Sequence, residues 1–192
     1  MRIIAGTFRS RPLQAPAGLA TRPSSDRLRE TLFNVLAPRI EGAHFLDLYA
    51  GSGAVGLEAL SRGAEHVVFV EHAPAALKVL QANLARLRLT AGFSIQSGSV
   101  GAYLRRALPE SKRFDLVFLD PPYDETKEYA TTLGLLGSAA ANLLTVGAVV
   151  IAEHRRKERL EDCYGSLVRT RLLEQGDAAL SFYSVLERTA TA

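Results

Sequence analysis

Five short apolar runs, at residues 45–48, 67–71, 93–96, 116–119 and 148–152, alternate with stretches whose apolar residues recur at helical spacing. Strand-length runs separated by helix-length segments are the pattern of repeated strand–helix–strand units, whose strands pair in parallel because each helix carries the chain back to the same edge. Between the second and third runs, Pro74 opens such a segment, and Leu77, Leu80, Leu84 and Leu87 fall on one face as ordinary core packing. The ending differs. Runs at residues 168–174 and 180–186 are joined through Gln175, Gly176 and Asp177, too short a link for a crossover helix, so these two are expected to be antiparallel. A mostly parallel α/β sheet finished by an antiparallel hairpin is the expected architecture.

At 192 residues and 47% hydrophobic composition, the chain suits one well-cored domain with a modest appendage. The first residues lack the apolar stretch of a signal peptide, and no segment reaches the roughly 18 apolar residues of a membrane span, so a cytoplasmic protein with no membrane partner is expected. Cys163 is the single cysteine, which excludes an internal disulfide, and it falls in a helix-like stretch as a small filler. His44, His66, His72 and His154 show no paired ligand spacing, so no metal is expected. Before the first run, residues 2–13 read as a small hairpin around Gly6, followed by an extended link punctuated by Pro12, Pro16, Gly18 and Pro23. Ser24 or Ser25 is placed to cap a helix lined by Leu28, Leu32, Val35 and Leu36 and stopped by Pro38. The division is therefore an extension at residues 1–23 and a main domain at residues 24–192. Of 23 basic residues only Lys78, Lys112, Lys127 and Lys157 are not arginine, and Arg2, Arg9, Arg11 and Arg22 precede the first acid. Arginine's planar fork fits phosphate, so an acid-free arginine arm is suited to a polyanion, or else is a solvated surface.

The first run leads into Asp47-Leu-Tyr-Ala-Gly-Ser-Gly-Ala-Val-Gly56, in which Gly51, Gly53 and Gly56 match the GxGxxG pattern. Glycines there let the backbone turn tightly and let a ligand approach where a Cβ would clash. Glu71 ends the second run twenty residues after Gly51, where a carboxylate accepts from both ribose hydroxyls. The combination implies an adenosine-containing cofactor. Asp47 beside the loop would repel a pyrophosphate but suit the sulfonium and ammonium of S-adenosylmethionine, which favours that donor over NAD.

Asp120-Pro121-Pro122-Tyr123 closes the fourth run. Ligands of open α/β sheets bind outside the carboxyl ends of the strands, so this tetrapeptide and the glycine loop are expected to line one crevice. Methylating an exocyclic base amine requires turning a delocalised lone pair toward the methyl group. Asp120 and the Pro121 carbonyl are acceptors that would hold the amine hydrogens, and Tyr123 offers a face on which an extruded base stacks. The proton then leaves through Asp120 or water. Pro122 stiffens the turn and donates nothing.

These motifs resemble the class I amino-methyltransferases. Together with Arg22-Pro-Ser-Ser-Asp-Arg-Leu-Arg-Glu-Thr-Leu-Phe-Asn34, Arg2-Ile-Ile-Ala-Gly6 and Ala179-Leu-Ser-Phe-Tyr183, they closely resemble the RsmD family of bacterial 16S ribosomal RNA guanine-N2 methyltransferases. The resemblance covers nearly the whole chain. It implies a Rossmann-like, seven-stranded sheet with an antiparallel last strand and a small N-terminal β-hairpin. It also implies S-adenosylmethionine as donor and a guanine of 16S RNA, in an assembling or assembled small ribosomal subunit, as target. Carried over by position, Gly51, Ser52 and Gly53 would hold the methionine part and Glu71 the ribose, with Asp47, Tyr49 and His72 in the same cofactor site. Asp120, Pro121, Pro122 and Tyr123 would hold the amine and base, and Arg2, Arg9, Arg11, Arg22, Arg27 and Arg29 RNA phosphates. Where many relatives of the wider class carry an acid or amide for the adenine, this chain has Gln96-Ser-Gly-Ser99, leaving Ser97 or Ser99 to bind it. Three other readings share parts of the pattern: a DNA or RNA adenine-N6 methyltransferase, an NAD-linked oxidoreductase, and a non-catalytic RNA-binding assembly factor with the same fold.

Overall fold

The computed structural model describes residues 1–15, 23–106, 113–122 and 126–185, without the side chains of residues 23–25. Arg22 and Tyr123 lie outside the described residues, and α1 begins at Pro23, so Ser24 and Ser25, expected to cap it, fall within its first turn. The elements run α1 (Pro23–Leu36), β1 (His44–Leu48), α2 (Ala54–Ser61), β2 (His66–Glu71), α3 (Pro74–Leu87), β3 (Phe93–Ser97) and α4 (Val100–Arg106). They continue with β4 (Phe114–Leu119), α5 (Lys127–Leu136), β5 (Leu144–Arg155), β6 (Cys163–Tyr164), β7 (Leu167–Gln175) and β8 (Ala178–Val185). The sheet order is β3-β2-β1-β4-β5-β8-β7-β6, parallel from β3 through β5 and antiparallel beyond. All seven expected strands are present. β6 adds an eighth, two residues long, and Cys163 lies exposed in it rather than in a helix-like stretch.

Alternation along the buried strands divides the core in two. Phe45, Val67, Phe69, Leu116, Phe118 and Ile151 face one side, against Leu28, Leu32 and Phe33 of α1, Leu57 of α2 and Leu80 of α3. Leu46, Leu48, Val117, Leu119, Val150 and Ala152 face the other, against Leu104 of α4 and Leu133 and Leu136 of α5. Each such fully buried side chain contributes about 1.5–3 kcal/mol. The strands are apolar on both faces, as a sheet covered by helices on both sides requires.

The N-terminal hairpin pairs less extensively than expected. Arg2 and Pro12 form an isolated antiparallel bridge, supported by Ile3 N–H to Arg11 O (3.0 Å), Ser10 N–H to Ile3 O (2.9 Å) and Leu13 N–H to Met1 O (3.1 Å). What fixes it is the main domain. Ile3 and Leu13 are buried with α1 in the first core. Glu58 of α2, with no exposure, accepts from Ile4 N–H (2.8 Å), Ala5 N–H (3.0 Å) and Arg62 Nε (2.7 Å). Gly6, at φ 81°, lies so close to α2 that a Cβ would fall 1.7 Å from the Ser61 carbonyl oxygen, and a glycine is the residue that tolerates both conditions.

Candidate active site

The carboxyl ends of β3, β2, β1, β4 and β5 stand side by side, in that order, and the described positions expected in the cofactor and chemical sites fall on or just after them. In-register neighbours lie about 4.8 Å apart. Ser97 on β3 is opposite Glu71 on β2. Leu48 on β1 is opposite Leu119 on β4, which sets the glycine loop beside Asp120. Leu119 is in turn opposite Ala152 on β5, which sets Asp120 beside Glu153. The crevice expected between the two motifs is thus built by adjacent strands.

The glycine loop is pinned from below. Glu71, nearly buried, accepts from Gly51 N–H (2.8 Å) with one oxygen and from His72 and Ala73 N–H (2.7 Å each) with the other, so one carboxylate fixes the loop and the start of α3 together. Gly51 has φ 57°, and a Cβ there would meet nothing nearer than the Tyr49 carbonyl oxygen at 3.9 Å, leaving an open cradle above the loop. The Ser52 carbonyl accepts from Asn83 Nδ2 (2.9 Å). Asn83, fully buried in α3, also pairs twice with the backbone of Gln14, so the cofactor loop and the end of the hairpin share one side chain. Neither Glu58 nor Asn83 was legible as a site residue. A polar residue inside an otherwise apolar helical stretch was the one signal each carried.

Several expected residues are placed differently from their expected use. Asp47 does not offer its charge to a ligand: it is buried, accepts from Gly56 N–H (2.9 Å), and burial holds its carboxyl well above the usual range. Its contact fixes the first turn of α2. Tyr49, in a left-handed backbone conformation at φ 61°, turns its hydroxyl to Glu128 and Thr132 of α5 (2.7 Å each). His72 is exposed beside Glu71, with Nδ1 3.6 Å from its carboxylate. Ser99 accepts from Ala102 N–H (3.3 Å) at the start of α4, while Ser97 is exposed at the end of β3.

Asp120 is part-exposed at the crevice, with Pro121 buried after it and Pro122 exposed. Desolvation by the strands around it pushes its carboxyl up to about 7. A carboxyl so placed ionises near neutrality and accepts strongly once ionised.

Among the arginines expected to meet phosphate, Arg2, Arg9, Arg11 and Arg27 are exposed. Arg29 is the correction. It is 6% exposed, donates to the Arg2 carbonyl (2.6 Å) and to Asp26 (3.1 Å), and lies 3.9 Å from Glu58, so its guanidinium braces α1 against the hairpin and does not face solvent. Among the described residues no group of His, Cys, Asp and Glu is arranged to hold a metal, and no helix is long and apolar enough to cross a membrane.

The chain is similar to known proteins in sequence and fold. The model of the family described as "Conserved hypothetical protein 95" matches residues 1–184. "Putative rRNA methyltransferase YlbH" of Bacillus subtilis is 38% identical, covering 95% of this chain and 98% of its own length. "Ribosomal RNA small subunit methyltransferase D" of Escherichia coli K12 is 42% identical over 64% of this chain, and the match spans 60% of that relative's length. Among solved structures, "Putative methyltransferase yhhF from Escherichia coli" has a TM-score of 0.83 at 32% identity, covering 96% of this chain and 97% of that one. The structure described as "putative methylase HI0767 from Haemophilus influenzae" gives a TM-score of 0.78 at 32% identity, covering 97% of this chain and 98% of that one.

Proposed function

The chain belongs to the family described as "Conserved hypothetical protein 95", and from that membership we propose that it transfers a methyl group from S-adenosylmethionine to the N2 amine of a guanine in small-subunit ribosomal RNA. The observation that carries this reading is the adjacency of Asp120 to the glycine loop at the ends of two paired strands. The relatives' names support ribosomal RNA as substrate, and that of the Escherichia coli relative supports the small subunit. The 16S target and the guanine amine follow from the resemblance of the arginine-rich α1 segment and the Asp-Pro-Pro-Tyr motif. An assembled or assembling subunit in the cytoplasm is the proposed setting.

The residues present fit the donor. The open cradle over Gly51 leaves room for its amino acid end, Glu71 retains acceptor capacity for ribose hydroxyls, and Ser97 borders the next position for adenine. When bound, S-adenosylmethionine supplies an electrophilic methyl group on a cationic sulfur. In the strand order, Ser97 of β3 would hold the adenine, Glu71 of β2 the ribose and the Gly51 loop after β1 the methionine part, leaving Asp120 after β4 for the amine. There Asp120 and the Pro121 carbonyl hold the amine hydrogens, drawing the nitrogen lone pair out of the base plane. As the methyl carbon exchanged its bond to sulfur for one to nitrogen, the electron pair staying on sulfur, the amine would shed one proton, which ionised Asp120 would accept. Tyr123 stacks on the extruded base. Arg2, Arg9, Arg11, Arg22 and Arg27 follow the phosphates. The extension at residues 1–23 is the RNA-holding part of a protein whose residues 24–192 carry the chemistry.

Asp120→Ala tests the assignment. Turnover is expected to vanish while calorimetric affinity for S-adenosylmethionine stays within about threefold, less than about 1 kcal/mol. A comparable loss of cofactor affinity would move Asp120 into the cofactor site.

A further inference from the structure

Asp47, Glu71, Asp120 and Glu153 stand at or near the carboxyl ends of four neighbouring strands, at the parity of Phe45, Phe69, Phe118 and Ile151, so all four carboxyls belong to the face covered by α1, α2 and α3. Glu71 and Asp47 are occupied by backbone N–H groups. Asp120 and Glu153 are not: among the described residues, none donates a hydrogen bond to either carboxyl, although each directly follows a member of the paired Leu119 and Ala152 and the charge of Asp120 acts on Glu153. The Glu153 backbone is held firmly, its carbonyl accepting from Tyr129 Oη (2.9 Å) of α5 and its strand neighbour Ile151 buried against α1.

Two desolvated carboxyls side by side do not both ionise at neutral pH; they share a proton. The cation that faces them is Arg29 of α1, whose charge acts on Glu153. Arg29 is already engaged by Asp26, the Arg2 carbonyl and Glu58, and its Nε is buried without a hydrogen-bond partner. The other charged groups facing the pair are acids, Asp47 toward Asp120 from β1, and Asp26 and Glu58 behind Arg29 from α1 and α2. Arg29 is thus divided among acids and does not suffice to keep Glu153 charged.

We propose that Glu153 is a positioning residue for the methyl transfer, a neutral carboxylic acid whose proton is donated to the Asp120 carboxylate and fixes the oxygen that faces the amine. The proton stays on Glu153 while Asp120 holds the amine, and after transfer the amine's proton rests on Asp120 and passes to solvent at the crevice mouth. This role rests on the reading of Asp120 given above. Carbon-13 NMR does not: it tests the shared proton with no turnover required.

Two variants separate the roles. Glu153→Gln retains a donor, so kcat is expected to stay within about threefold of wild type. Glu153→Met removes the donor at similar volume, and kcat is expected to fall by at least about tenfold with KM for RNA and cofactor affinity unchanged. Glu153→Met at wild-type kcat, or Glu153→Gln as impaired as Glu153→Met, would overturn the proposal. Wild-type protein labelled in its side-chain carboxyl carbons gives the reading without a variant. Asp120 and Glu153 are expected each to show two titration steps, because interacting groups report the titration of the pair. A single independent step for each in the ordinary carboxylate range would overturn it too, and a wild-type protein that transfers no methyl group would defeat the functional reading while leaving this titration to decide the pair.

Discussion

Gly51→Ala and Gly6→Ala are the same chemical change at similar backbone torsions, φ 57° and 81°, and the surroundings give them opposite consequences. An alanine held in the left-handed region costs about 1–2 kcal/mol. Its smaller freedom in the unfolded chain offsets about 0.4–1 kcal/mol of that. The shared conformational effect is therefore about 1 kcal/mol, a fall in Tm of about 2–4 °C for a chain of this length. At Gly51 nothing more is lost, because the new Cβ meets no protein atom nearer than 3.9 Å. At Gly6 the Cβ would lie 1.7 Å from a backbone oxygen of α2, and the hairpin must lift. Lifting breaks Thr7 N–H to Ser61 O (2.7 Å), Phe8 N–H to Ser61 Oγ (3.0 Å) and Ser61 Oγ to Ala5 O (2.5 Å). At about 1 kcal/mol each these bring the loss to about 4 kcal/mol. Urea denaturation and calorimetric titration with S-adenosylmethionine measure both sides of the contrast. Gly51→Ala is expected to weaken cofactor binding at least about tenfold, about 1.4 kcal/mol, with little loss of stability. Gly6→Ala is expected to destabilise strongly and leave cofactor affinity within about threefold. Undiminished affinity in Gly51→Ala would refute the identification of the cradle.

The raised carboxyl of Asp120 sets a pH dependence: ionised Asp120 is the active form, so kcat is expected to rise with pH through about 7, and a flat profile across that range would contradict it. Stability moves the other way. A carboxyl whose folded value lies above its unfolded one loses stability as pH rises from the ordinary carboxylate range through about 7. Asp120→Asn is therefore expected to be more stable than wild type at about pH 8, with the advantage shrinking steadily as pH falls toward about 4 in urea titrations. Glu58→Ala leaves Arg29 and Arg62 without their shared partner and frees two hairpin N–H groups. About 3–5 kcal/mol should be lost, as for other broken buried ion pairs, and a loss below about 1 kcal/mol by denaturation would remove Glu58 from its place as the hairpin clamp. Replacing Arg9, Arg11 and Arg27 together by Gln is expected to weaken RNA binding and flatten its salt dependence, by about 0.7 in log–log slope for each phosphate no longer neutralised. An unchanged slope would place the RNA elsewhere.

The strands were legible because their burial on both faces writes them as continuous apolar runs, and the glycine loop because Gly51 and Gly53 both take left-handed torsions. The carboxyl-end alignment followed from topology once the alternation was read. Arg29 was misjudged because an arginine in a polar, arginine-rich helix reads as a solvated side chain free to meet phosphate; only the docked hairpin buries it. Glu58 was hidden for the converse reason: α2 is covered on all sides, so its acid looks like the polar face of a helix that has none. Glu153 reads as the first residue of the charged loop after β5, and β6 is too short to leave a periodic trace. Its parity with Asp120, Glu71 and Asp47, all at or near strand ends on the same face, was present in the sequence and becomes visible once register is known.

Transfer of labelled methyl from S-adenosylmethionine to small ribosomal subunits of cells lacking this protein, followed by nucleoside analysis, tests the proposed activity most directly. Label in N2-methylguanosine is the expected result. Label in N6-methyladenosine would contradict the guanine assignment while keeping the amine chemistry of Asp120, and no transfer to any nucleic acid would contradict the activity itself and leave an RNA-binding assembly role in its place.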